Sequence, residues 1–228
     1  MRHFHITLLF AFIAIIISAC SVKKQPTEDE ERMTKTAKIN TQLGLVYLER
    51  NDINRSKQKL LLALKQDPNI PEPWYSMAYY LETTGNKRLA NDYYLKAISL
   101  APERGDTHNN YGTFLCRAGK YRESINQFNL AVKAPDYLTS GDAYENAGLC
   151  ALKIPNKKLA ARFFAAALKQ DSTRPISLLK LAEINFQLGN HAAARTKLRA
   201  FLAVSQPTTQ SRQLSAKLYR SAMLSKAY

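Results

Sequence analysis

The sequence predicts an all-α protein: a superhelical solenoid of five helix-turn-helix repeats plus a C-terminal capping helix. Three observations carry that prediction. The 228 residues include only 8 Gly and 9 Pro, too few for a many-turned β architecture, while 46% hydrophobic residues with 12 Tyr and 9 Phe supply a core. Small residues recur at Gly44, Ala78, Gly112, Gly148 and Ala182, in steps of 34, 34, 36 and 34. A second series, Ser56, Ala90, Ser124, Ala160 and Ala194, moves in the same steps. Two markers in lockstep at this period signal a repeat array.

The elements follow in chain order. Met1 to His5 carry positive charge, and Ile6 to Ile17 then run twelve residues without any charge. That run is shorter than the roughly 20 apolar residues a membrane span needs, so residues 1–19 read as a secretory signal peptide. Ile17-Ser18-Ala19-Cys20 resembles the lipobox of bacterial lipoproteins. The resemblance implies cleavage before Cys20 and lipidation of that residue, with two or more acyl chains making the anchor stable. Ser21 stands where an Asp would resemble the inner-membrane retention signal, so the expected location is the outer membrane, lipid-anchored at its periplasmic face. Residues 20–36 are polar with almost no apolar periodicity and read as a lipidated flexible tether, with a reach of roughly 20 Å. Residues 37–228 then form the repeat domain.

Within that domain the residues fit the tetratricopeptide template, a Trp, a Leu-Gly pair and a Tyr on the first helix, then an Ala and a Phe on the second. The second repeat supplies Trp74, Met77-Ala78, Leu81, Ala90, Tyr94 and Pro102; the fourth supplies Tyr144, Ala147-Gly148, Ala151, Ala160 and Phe164. The small residues belong where the two helices of a repeat cross, and the large ones beside them. Asn51-Asp52, Gly85-Asn86, Gly119-Lys120, Pro155-Asn156 and Gly189-Asn190 supply the turns between helices. Prolines such as Pro68 and Pro102 stop the second helices. Leu214, Leu218 and Met223 line one side of a last helix, the amphipathic cap a solenoid needs.

Charge and missing motifs narrow the function. The net charge of +15 asks for an anionic partner, and removal of residues 1–19 takes one base, Arg2, and no acid, leaving +14. Export excludes genomic DNA as that partner, so no nucleic acid is expected. No Gly-rich phosphate loop, HExxH, CxxC or GxSxG is present, and His108 occupies the slot filled by Trp74 one repeat earlier, a packing position. The sequence therefore predicts neither an enzyme nor a cofactor, metal or small-molecule substrate. It predicts a binding surface, with Leu45, Leu48, Tyr75, Tyr79, Asn109, Thr113, Glu145 and Leu149 on the concave side lined by first helices. Cys116 and Cys150 remain after acylation of Cys20. They lie near the ends of neighbouring first helices, close enough for a disulfide in an oxidising compartment.

HNNYGTFLC at 108–116 and NAGLC at 146–150, with the lipobox and the repeats, resemble the PilF/PilW family of type IV pilus biogenesis and stability lipoproteins. The resemblance implies a non-enzymatic outer-membrane lipoprotein of the pilotin type. Its partners would be pilus secretin subunits, bound by protein–protein contact, and the membrane, reached through the N-terminal lipid. Members of the family usually carry six repeats, and this sequence supplies one helix of a sixth. The repeats and lipobox fit equally a periplasmic-side scaffold that recruits cell-wall enzymes or outer-membrane assembly factors.

Overall fold

A computed structural model describes residues 25–135 and 137–224. The expected signal peptide and the expected lipidation site at Cys20 lie outside the described residues. Within them eleven helices follow one another: α1 Glu28–Glu49, α2 Ile53–Gln66, α3 Pro71–Thr83, α4 Lys87–Leu100, α5 Gly105–Arg117, α6 Tyr121–Ala131, α7 Ser140–Ala151, α8 Lys157–Gln170, α9 Pro175–Gln187, α10 His191–Val204 and α11 Thr209–Leu224. Helices α1 to α10 pair in sequence as five hairpins, each first helix also packs on the next first helix, and α11 closes the array against α9 and α10.

The turns show why the chain reverses where it does. Gly85, Gly119 and Gly189 adopt φ of 92°, 82° and 78°, a region open to glycine at no steric cost, and Asn51 occupies it at 58° in the first hairpin. Asp52, Asn86 and Asn156 then cap the second helices by accepting from the backbone N–H of Arg55, Leu89 and Leu159. Pro71 and Pro175 occupy the start of α3 and α9, where a missing N–H costs nothing.

The two small-residue series mark the helix crossings. A Cβ on Gly44 would fall 2.6 Å from Leu60, one on Gly112 2.9 Å from Phe128, and one on Gly148 2.7 Å from Phe164. Ala78, Ala182 and all five members of the second series are fully buried. Ser124 uses its position twice, donating from Oγ to the carbonyl of Gly112 at 2.7 Å. Period and packing agree at every hairpin.

Two expectations need correction. Helix α1 begins at Glu28, so residues 28–36 of the expected tether are helical. Thr27 and Glu30 form a reciprocal capping box, Glu28 to Glu31 place acid where the helix dipole favours it, and Thr34 donates to Asp67, just past α2, at 2.5 Å. Met223 is 55% exposed, while the buried residues of α11 are Ser211, Leu214 and Leu218. The 36-residue step arises because α6 stops after 11 residues and a loop with Pro135 follows; Tyr137 of that loop packs against Gly105.

Candidate functional site

The exposed faces of α1, α3 and α5 enclose a groove of about 300 Å³. Each helix contributes a pair four residues apart: Leu45 and Glu49, Tyr75 and Tyr79, Thr113 and Arg117. Spacing of i, i+4 puts both members on one helix face. Ser76, Asn110 and the hydroxyl end of Tyr94, reaching over from α4, complete the lining.

The residues expected on this face fall into two columns of the repeat. Leu45, Tyr79, Thr113 and Leu149 share one register position, and Tyr75, Asn109 and Glu145 share another. The first column stays open: Leu45, Tyr79 and Thr113 line the groove, and Leu149 continues it on α7 with 36% exposure. The second is progressively taken up by contacts between repeats. Tyr75 donates weakly to Asp106 at 3.4 Å, and Asn109 Oδ1 accepts from the Asn146 amide at 3.1 Å.

Glu145 is a correction. It is buried, and its carboxylate accepts from the backbone N–H and Oγ of Ser177 at 3.0 and 2.6 Å and from Arg174 at 3.2 Å. A carboxylate so engaged is a joint between α7 and α9, with no surface left for a partner. Leu48 is the second correction. It belongs to neither column, lies 7% exposed, and packs in the core with Leu60, Met77 and Tyr80.

The electrostatics of the groove centre on Arg117, which sequence reasoning missed. Its Nε and Nη2 donate to the two carboxylate oxygens of Glu82, each at 2.6 Å, and its guanidinium carbon sits 5.6 Å from the ring centre of Tyr79. The available signal was the separation of 35 residues from Glu82, which places the two side by side on α3 and α5. Burial, reinforced by Asp106 and Glu72, pushes the Tyr75 phenol well above its ordinary pKa, and burial does the same for Tyr94. Both hydroxyls therefore stay protonated through neutral pH. The groove offers aromatic faces, hydroxyl and amide groups, a carboxylate at Glu49 and a cation at Arg117, the chemistry of polypeptide recognition.

The other titratable candidates have structural work. His108 is 6% exposed; Nε2 meets the carbonyl of Pro102 at 2.8 Å and Nδ1 meets Gln127 at 2.7 Å. Trp74 donates from Nε1 to the carbonyl of Pro68 at the same six-residue offset, so His108 reproduces its contact as well as its place. Among the described residues no cluster of three His, Cys, Asp or Glu side chains is positioned for a metal. No helix among them is long and apolar enough to cross a membrane.

Three of the joints between first helices carry a cross-link of their own. Arg104 donates to Glu72 at 2.8 Å and pairs with Asp106, tying α3 to α5, and Arg174 donates to Asp142 at 2.6 Å, tying α7 to α9. Residue 140, in the corresponding place between α5 and α7, is Ser. There a disulfide joins Cys116 to Cys150, with Cα atoms 5.8 Å apart.

Models of the tetratricopeptide repeat match residues 71–104 and 115–175. A Haemophilus influenzae relative, itself uncharacterized, is 34% identical over 144 residues, 63% of this chain and 77% of its own. The chain carries tetratricopeptide repeats and has the tetratricopeptide-repeat solenoid fold. This repeat protein is also similar to the type IV pilus assembly protein PilF of Pseudomonas aeruginosa, 25% identical over 189 residues that make up 82% of this chain and 75% of PilF. The solved structure of PilF superposes with a TM-score of 0.77 at 24% identity, covering 84% of this chain and 86% of that one. The crystal structure of PilW, a type IV pilus biogenesis factor, gives 0.71 at 25% identity, covering 84% and 88%.

Proposed function

We propose that this repeat protein is a non-enzymatic type IV pilus biogenesis factor that grips the pilus secretin in the α1–α3–α5 groove. On this reading it carries the secretin to the outer membrane on a lipid attached to Cys20, where it promotes assembly of the ring. The observation that carries the reading is the groove itself: Tyr75 and Tyr79, flanked by Leu45 and Arg117, in a fold similar to PilF and PilW along most of its length. A lipid anchor and a peptide groove on one chain concentrate the cargo in a layer at the membrane, an effective-concentration device that needs no chemistry.

Two outcomes test the proposal. Tyr75→Ala with Tyr79→Ala should weaken capture of purified secretin by about tenfold or more, the scale of losing two aromatic anchors, while circular dichroism stays helical. Capture at wild-type strength by the double variant would remove the groove from the mechanism. Cys20→Ala should abolish palmitate labelling and release the protein from the outer-membrane fraction. Equal labelling of the two forms would show that the lipid is not on Cys20.

A further inference from the structure

A sixth member of the small-residue series, 34 residues beyond Ala182, is Ala216 on α11. At the first five positions that residue is buried against the second helix of its own repeat; Ala216 is exposed. Its neighbours follow the same pattern. Ala147 and Ala151 on α7 are 1% and 0% exposed under α8, whereas Tyr219, which shares the register of Ala151, is 67% exposed. Facing α11 stand Arg195, Arg199 and Leu202 of α10. Their register equivalents on α6, Ile125, Asn129 and Val132, look across a shared cavity at α8. These α10 residues and Ser215, Leu218 and Tyr219 of α11 bound a mainly apolar slot of about 490 Å³, beside the face that a repeat's second helix covers.

Charge says what kind of helix fits. After Glu183 the sequence holds no Asp or Glu, while Arg195 and Arg199 line the slot and Lys197, Arg212, Lys217 and Arg220 lie on its two helices. We propose that this slot receives an acidic amphipathic helix from a partner protein, lying in the position of a repeat's second helix. Small or aromatic residues on the apolar face of that helix would cover Ala216 and Tyr219, and its carboxylates would meet Arg195 and Arg199. A second copy presenting the same end answers cations with cations, which opposes a symmetric pairing through this face. This site is separate from the α1–α3–α5 groove.

The probe is a labelled peptide with the sequence of α8, Lys157–Gln170, whose apolar face already covers a first helix, carrying K157E, K158E, R162E and K169E. The unaltered α8 peptide, basic on its polar face, is the comparison. Measured by fluorescence anisotropy on the purified full chain in detergent, the acidic peptide should bind at least about tenfold tighter. Arg195→Glu with Arg199→Glu should reverse that preference. Ala216→Trp, at an exposed position where the thermal melt should stay unchanged, should weaken binding about tenfold by obstructing the face of α11 that the helix would cover. The Tyr75→Ala and Tyr79→Ala variant should bind the peptide as wild type does.

Equal binding of the two peptides, no binding, or indifference to Ala216→Trp would overturn the proposal. Loss of peptide binding in the double tyrosine variant would also overturn it, by moving the peptide to the other groove. Self-association in sedimentation that Arg195→Glu and Arg199→Glu abolish would give the slot to a second copy. Cosedimentation with phosphatidylglycerol vesicles abolished by the same changes would give it to lipid.

Discussion

Reducing the Cys116–Cys150 disulfide should destabilise the domain by about 3–4 kcal/mol, the chain-entropy expectation for a loop of 34 residues. For a domain of this size that lowers Tm by roughly 10 °C. The location makes the effect larger than the bond alone suggests. The joints α3/α5 and α7/α9 have arginine–carboxylate pairs, but between α5 and α7 the corresponding arginine is missing and α6 is shortened. What else spans that joint is the Asn109–Asn146 hydrogen bond and packing around Phe128 and Ala143. In a nearest-neighbour solenoid, weakening one interface uncouples the blocks on either side. Thermal melts with and without reductant, and of Cys116→Ala with Cys150→Ala, should show one transition becoming two. A melt unchanged by reductant, with two alkylatable thiols present from the start, would mean the bond does not form.

Phe164→Ala should cost about 3–5 kcal/mol, the largest expected effect of any single side chain here. Phe164 is fully buried on α8, and its ring lies under Gly148, the crossing point of the fourth repeat. Removing the ring leaves a cavity that the hairpin cannot close, because the backbones are already held by their own hydrogen bonds. The reciprocal change, Gly148→Ala, places a methyl about 2.7–2.9 Å from that ring and should cost about 1–3 kcal/mol despite alanine's better helix propensity. Combining the two should be less damaging than their sum, since the added methyl enters the vacated space. Urea unfolding of the four proteins measures this. Strict additivity would show that Gly148 is not small on account of Phe164.

Much of the groove was legible because a repeat is a ruler. Once Gly44, Ala78 and Gly112 fix the phase, Leu45, Tyr79 and Thr113 must lie in one column, and the structure places all three around one cavity. Arg117 and Tyr94 were not legible in the same way. A template describes one repeat, whereas Arg117 matters through Glu82 of the preceding repeat and Tyr94 through the depth to which its ring is sunk. Glu145 illustrates the reverse error. Its register is that of Tyr75, but Arg174 and Ser177 of the following repeat consume its carboxylate.

The sequence by itself determined the number of hairpins, their phase, the crossing residues and the placing of Cys116 and Cys150 on neighbouring first helices. All of these depend on periodicity, and periodicity is a property of local order along the chain. Only the tertiary structure decided which column stays open, where α1 begins, and that α11 leaves Ala216 and Tyr219 uncovered. Those outcomes depend on which side chain from a neighbouring repeat arrives first at a given surface. That competition is settled by three-dimensional packing and hydrogen-bond satisfaction between residues about 34 positions apart, which no single repeat's pattern contains.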